Sequence, residues 1–383
     1  MVKTNTLERR VARMAICPPR SAGSRDRGQG VGGRTPSGRR IDGDCPERAL
    51  VGPVGECLVK WPEVMQQIPL VPVGSPTAPA RSPDQRPAWQ RLLPEGVDRR
   101  PPWLTVRAPV GAGVTEVSAL MREKQLVTVC EEARCPNLGE CWNSGTATFM
   151  ILGDTCTRAC AFCAVKSGRR GGDIDADEPR RVGEAVARMG LRHAVVTSVD
   201  RDDLPDGGAS IFAATIREIR ARAPGVTVEV LTPDFQGDLD AVGAVVAEGP
   251  EIFNHNMETV ARLYPRVRPK SGYRRSLSVL RAAREMAPAS RTKSGLMVGL
   301  GEEVEEVHRL LRDLQEHRVE IVTIGQYLRP SLKHHPLIRF WHPDEFAELK
   351  AYGLGLGFAH VESGPLVRSS YHAAGQVVAA AAG

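Results

Sequence analysis

From about residue 146 onward, short apolar runs alternate with segments whose apolar residues recur at i, i+3 and i+4. The runs at 148–152, 194–199, 226–231, 251–254, 292–298 and 319–324 have the length and β-branched character of buried strands. Between them, 181–189, 209–222 and 304–316 read as amphipathic helices; Ile211, Thr215, Ile216 and Ile219 share one face of the second. Roughly six β–α repeats in one direction predict an α/β protein with a parallel sheet and helical crossovers. A flat doubly wound sheet and an open barrel both satisfy this pattern.

Residues 1–85 carry no such period. They are rich in Arg, Gly, Pro and Ser, and a chain of that kind buries too little apolar surface to offset its ordering entropy. They are expected to form a disordered or low-complexity extension. Its first part is Arg-rich and acid-poor, as in a transit peptide. The acid-poor character fades after residue 40, which favours an over-extended start instead.

Charge follows the same division. The net charge is +6, but residues 1–40 hold ten Lys/Arg against two Asp/Glu, so the remaining chain sums to −2. The basic excess belongs to the extension, and no basic face interleaved with aromatics is evident for nucleic acid. No apolar run reaches the ~18 residues of a membrane span. The expected location is cytoplasmic, or mitochondrial or plastid if residues 1–85 are a transit peptide.

Six of the nine cysteines fall within 34 residues, in two triplets. Cys130, Cys135 and Cys141 read C-x4-C-x5-C; Cys156, Cys160 and Cys163 read C-x3-C-x2-C. A structural [4Fe–4S] site uses four cysteines, so three leave one iron open to another ligand. Two triplets therefore suggest two clusters, each with an iron kept for chemistry. Zinc would call for four ligands, often as C-x2-C pairs, and no paired C-x2-C is present. Disulfides suit neither the spacing nor the absence of a secretory signal. Cys17, Cys45 and Cys57 have no ligand-like spacing.

The second triplet, with Phe162 just before its last cysteine, resembles the radical S-adenosylmethionine superfamily. The stretch C-E-E-A-R-C-P-N-L-G-E-C-W (130–142) directly upstream resembles the lipoyl synthase family closely. So do V-T-S-V-D-R-D-D-L (196–204), E-V-L-T-P-D-F (229–235), F-N-H-N-M-E-T-V (253–260), K-S-G-L-M-V-G-L (293–300) and R-S-S-Y-H-A (368–373). The resemblance runs from about residue 86 to about residue 375. It implies a partial (β/α)6 TIM-type barrel over 146–362, an auxiliary-cluster segment over 86–145, and a C-terminal segment over 363–383 that supplies a serine ligand.

The activity it implies is insertion of two sulfur atoms, at C6 and C8, into an octanoyl chain amide-linked to a lysine of a carrier domain. An unactivated C–H bond yields to a carbon radical and to no side chain, so the cofactor carries the hard step. The implied cofactors are two [4Fe–4S] clusters and S-adenosyl-L-methionine, with the auxiliary cluster as sulfur donor. By resemblance Cys156, Cys160 and Cys163 hold the radical cluster. Cys130, Cys135, Cys141 and Ser370 hold the auxiliary one, with Ser369 as the alternative serine. A serine oxygen is harder than thiolate and more easily released from iron. The implied partners are octanoylated carrier domains of 2-oxoacid dehydrogenase E2 subunits and the glycine cleavage H protein, a low-potential donor such as ferredoxin or flavodoxin, and an iron–sulfur cluster carrier.

Other polar positions after candidate strands are expected nearby: Phe162, Asp203, Glu229, Asn254 and Asn256 toward the cofactor, Arg268 and His334 toward the substrate, with Arg329 a further option. A charged run such as 200–203 after a strand is more often a solvated loop. Phe149, Met297 and Leu328 could wall an apolar tunnel, although core packing is the better default. The rivals are another sulfur-inserting radical enzyme, such as biotin synthase or a methylthiotransferase, and an iron–sulfur electron-transfer protein. The last favours closed four-cysteine sites and has no need of so many β–α repeats.

Overall fold

The computed structural model describes residues 88–376, apart from 98, 107–111 and 134. The extension expected over 1–85 lies outside the described residues.

The chain enters through α1 (Ala112–Glu123), a two-residue strand β1 (Val127–Thr128), and two short helices, α2 (Val129–Glu132) and α3 (Leu138–Asn143). The repeats then begin: β2 (Thr146–Ile151), α4 (Glu178–Met189), β3 (His193–Ser198), α5 (Ala209–Arg222), β4 (Thr227–Leu231) and α6 (Leu239–Val246). They continue through β5 (Ile252–Asn254), α7 (Tyr264–Val267), α8 (Tyr273–Met286), β6 (Arg291–Val298), α9 (Val304–Glu316), β7 (Ile321–Gln326), α10 (Pro343–Gly355) and β8 (His360–Gly364).

The sheet order is the chain order, β1 to β8. β1 is antiparallel to β2, and every later neighbour pairs in parallel. An order that never reverses, joined by right-handed crossovers, puts all the helices on one face. The other face must curl inward to be covered, which makes an open barrel rather than a doubly wound sheet. All six strands expected from the sequence are present, displaced by at most a few residues. The seventh parallel strand, β8, was not foreseen: His-Val-Glu-Ser-Gly has one fully buried residue, Val361, and no apolar run.

Strand alternation sorts the side chains. Phe149, Val182, Val196, Phe212, Ile216, Val228 and Val230 pack together between strands and helices. Phe149 is fully buried there, so it is core and does not wall a tunnel. The inward face is polar. Thr148, His193, Glu229, Asn254, Lys293 and Thr323 are all buried on it. Helix α4 lies close to α5 because residue 183 is glycine; a Cβ there would sit 2.6 Å from the Glu218 carbonyl oxygen. Helix α9 starts at a capping box between Glu303 and Glu306.

Among the described residues, no helix is long and apolar enough to cross a membrane.

Candidate active site

The second cysteine triplet occupies the loop after β2, at the C-terminal ends of the strands, where barrels build their sites. Loops from the neighbouring strands hold it. The Thr157 N–H donates to Asp200 O at 2.9 Å, the Ala161 N–H to Val267 O at 2.8 Å, and the His335 N–H to Ala161 O at 2.7 Å. Lys270 Nζ donates to Thr157 O at 2.7 Å. His334 Nε2 lies 2.9 Å from Cys163 O. Loops after β3, β5 and β7 thus all grip the twelve residues 156–167.

Within the triplet, Arg158 is buried. Its guanidinium pairs with Asp202 at 2.7 Å, Asp234 at 2.7 Å and Asp200 at 3.4 Å. Asp234 also accepts from Arg275 at 2.8 Å. The run 200–203 is therefore not a solvated loop. Arg201 is buried and spends its guanidinium on both Asp203 oxygens, at 2.8 and 3.0 Å. Burial opposes the charge on Asp234, but Arg158, His255 and Arg275 outweigh it and hold the carboxyl well below the usual range.

The first triplet lies on α2, α3 and the turn between them, beside β2. The C-terminal segment after β8 crosses to it from the far edge of the sheet. Asn137 Nδ2 donates to Leu366 O at 2.7 Å. Thr148 Oγ1, on the inward face of β2, donates to Ser370 Oγ at 3.0 Å. Tyr371 OH donates to Glu140 at 3.2 Å, and His372 Nε2 lies 3.2 Å from the same carboxylate. Burial raises the Cys135 thiol, and the charge of Arg368 works against that rise. Gly325 on β7 permits this crossing, since a Cβ there would lie 2.1 Å from Val367 O.

All six thiols are free. Burial pushes the Cys130 thiol up to about 11, reinforced by Cys135. Burial, Cys135, Cys130 and Glu140 push Cys141 up to about 12. In the other triplet burial pushes Cys163 up to about 12, with Cys160 and Cys156 adding to it. Each triplet thus gathers thiols that cannot ionise together unless a cation joins them. That donor set fits an iron–sulfur cluster. Among the described residues, no three His, Cys, Asp or Glu side chains are drawn tightly enough for a single metal ion; a cluster taking one thiolate per iron needs a wider set.

The remaining sequence candidates are distributed as follows. Glu229 lies in the barrel interior, bonded to Lys293 Nζ at 2.9 Å and Asn254 Nδ2 at 2.8 Å. Burial opposes its charge, but Lys293 and His193 pull the carboxyl down to about 2. Asn256 donates to Glu258 at 2.9 Å and accepts from Gly295 N–H at 3.0 Å. Arg268 is buried, donates to Asn256 O at 2.7 Å, and leaves Nε–H without a partner. Phe162 is partly buried against the apolar cluster around Met257 and Tyr327. Met297 packs in the same cluster and Leu328 is half-buried. Arg329 is spent on its own loop, on His334 O at 3.0 Å and Leu332 O at 2.7 Å. Sequence reasoning missed Arg158, Asp234, Lys293 and Glu140. A lone lysine inside the strand at 292–298 and an arginine between two cysteines of a triplet were the available signals.

Residues 85–135 match the N-terminal domain of lipoyl synthase of the radical SAM family, and residues 150–314 match the radical SAM superfamily. A lipoyl synthase of Rubrobacter xylanophilus is 61% identical over 78% of this chain and 92% of its own. One of Thermus thermophilus is 57% identical over 73% and 87%, and one of Oceanobacillus iheyensis 55% over 74% and 90%. Among solved structures, a maturase of the [FeFe]-hydrogenase superposes with a TM-score of 0.44 at 15% identity, over 68% of this chain and 70% of that one. The two family matches, with relatives at such identity over nearly the whole of their own length, place the chain in the lipoyl synthase family of the radical S-adenosylmethionine superfamily.

Proposed function

We propose that Cys156, Cys160 and Cys163 hold the [4Fe–4S] cluster that meets S-adenosylmethionine, and that Cys130, Cys135, Cys141 and Ser370 hold the auxiliary one. The enzyme is a sulfurtransferase that inserts two sulfur atoms, at C6 and C8, into an octanoyl chain carried on a protein lysine, and it uses two [4Fe–4S] clusters and S-adenosylmethionine. Its substrates are lipoyl carriers, and it requires a reductant. When bound, these groups supply a carbon radical able to take hydrogen from an unactivated C–H bond, and the sulfur that replaces it.

The observation that carries the ligand assignment is the placement of Ser370. Its Oγ accepts from Thr148 on the inward face of β2, and the charge of Arg368 is felt at Cys135. Thr148 also hydrogen-bonds the Cys130 thiol, which supports Ser370 as the further ligand of a triplet with three thiols. The same crossing covers the gap between the first and last strands of the open sheet, which helps keep water from the reacting carbon. Arg268 offers its free Nε–H to a carbonyl or carboxylate of the substrate, and His334 holds the radical-triplet loop beside it. Asn254, Asn256, Glu229 and Phe162 face the cofactor from β4, β5 and the triplet loop. Asp203 acts through Arg201.

We read 86–145 as the auxiliary-cluster segment, 146–362 as the barrel, and 363–383 as the segment that supplies the serine. E2 subunits of 2-oxoacid dehydrogenases and the glycine cleavage H protein are the carriers. Ferredoxin or flavodoxin is the electron source, a cluster carrier rebuilds the consumed site, and the cytoplasm is the compartment. Neither nucleic acid nor membrane is a partner. Ser370→Ala tests the assignment: S-adenosylmethionine cleavage persists and lipoyl product is lost, whereas Ser369→Ala is milder. Equal effects of the two changes would refute it.

A further inference from the structure

Arg158 stands between two cysteines, and its contacts are unequal. Asp202 receives its Nε and Nη2, at 2.7 to 3.1 Å, and Asp234 receives Nη2 at 2.7 Å. Nη1 donates to Ser271 Oγ at 3.2 Å and faces Asp200 at 3.4 Å. Asp200 in turn lies against the triplet: its Oδ2 accepts from Cys156 Sγ at 3.6 Å. Among the described residues, Arg158 is the one cation within 4.0 Å of the Asp200 carboxylate.

This contact changes character once Cys156 ligates iron. The thiol proton is then gone, and a carboxylate faces a thiolate. The charge around a cluster and the hydrogen bonds to its sulfurs set its reduction potential. The Arg158 N–H already points at Cys156 Sγ, 3.4 Å away. We propose that Arg158 screens the Asp200 carboxylate from the Cys156 ligand, and so raises the reduction potential of the radical cluster toward what the electron donor can reach. This rests on Cys156 being a ligand. Asp202 and Asp234 hold the guanidinium in place, where its charge opposes that of Asp200 at the triplet. Arg158 is a positioning residue.

The test is a redox titration, followed by electron paramagnetic resonance, of the reconstituted full-length enzyme. The radical cluster is identified by the change in its signal on adding S-adenosylmethionine. Arg158→Gln shifts its midpoint to more negative potential, and Asp200→Asn shifts it to more positive potential. Arg158→Gln/Asp200→Asn returns the midpoint toward that of the unaltered enzyme, because the two removed charges oppose each other. A double variant whose midpoint stays as negative as that of Arg158→Gln overturns the proposal, as does no shift in either single variant. If Arg158→Gln fails to retain the radical cluster, Asp200→Asn alone decides, and an unmoved midpoint counts against the screen. Iron analysis of Cys156→Ala separates the two levels. Loss of about four of about eight irons supports the ligand assignment; full retention sinks that assignment, independently of the screen.

Discussion

Replacing Gly325 with alanine should detach the C-terminal crossing while leaving the barrel intact. The new Cβ would sit 2.1 Å from Val367 O, which is 3.4 − 2.1 = 1.3 Å inside ordinary contact. β7 cannot yield, because it is paired along its length with β6 and β8. The crossing segment can. It is tied down by Asn137 to Leu366 O, Thr148 to Ser370 and Tyr371 to Glu140. At about 1 kcal/mol per hydrogen bond these contribute about 3 kcal/mol. A backbone clash at the upper end of the about 1–3 kcal/mol typical of overpacking offsets most of that attachment. On the proposed ligand set, Ser370 then leaves the auxiliary triplet for much of the time. Lipoyl product per chain should fall by about fivefold or more, equivalent to about 1 kcal/mol, while 5′-deoxyadenosine release stays near wild type. Gly364→Ala is the control, since its Cβ would meet Val367 Cγ2 at an ordinary 3.4 Å. Both products are measured after anaerobic turnover on an octanoyl-lysine peptide. Undiminished lipoyl product from Gly325→Ala would refute the reasoning.

The cysteine triplets should separate by chemistry. Alanine at Cys156, Cys160 or Cys163 abolishes S-adenosylmethionine cleavage, while alanine at Cys130, Cys135 or Cys141 spares cleavage and prevents sulfur insertion; both are read by quantifying 5′-deoxyadenosine and lipoyl product. The buried Glu229–Lys293 pair is a second target. Lys293→Met strands a carboxylate in the barrel and should cost about 3–5 kcal/mol in urea unfolding, and adding Glu229→Gln should recover part of it. His255 sets a pH dependence. Burial, with Arg268 and Arg158, lowers its folded pKa from 6.5 to about 4 against the pull of Asp234. The folded state therefore binds fewer protons than the unfolded one between those values. Stability falls as pH drops from about 6.5 toward about 4, and urea midpoints across that window should flatten in His255→Gln.

The six strands with buried apolar runs were legible because both of their faces are covered, one by helices and one by the barrel interior. β8 was not, since His360, Glu362 and Ser363 interrupt any run. The cysteine spacing exposed both triplets because each lies within a short stretch of sequence. The groups that hold them did not show. Arg158, Asp202 and Asp234 come from three different loops, and only the fold makes them neighbours. The charged run at 200–203 read as solvated because nothing in a linear pattern reveals a buried arginine waiting for it. The crossing of residues 366–372 to α3 spans the open edge of the sheet, a contact more than two hundred residues apart in the chain. Ser370 was reached through family resemblance; its hydrogen bond to Thr148 is the physical reason such a distant residue can matter.

The most direct test is the origin of the inserted sulfur. The full-length chain, reconstituted anaerobically with 34S-labelled sulfide, is incubated with an octanoyl-lysine peptide, S-adenosylmethionine and a low-potential reductant, and the peptide is weighed by mass spectrometry. If the auxiliary triplet and Ser370 hold the donor, the lipoyl product carries two 34S atoms, appears at no more than one per chain, and is accompanied by about two 5′-deoxyadenosines. Unlabelled sulfur in the product, or label incorporated equally well by the Cys130→Ala variant, would contradict it.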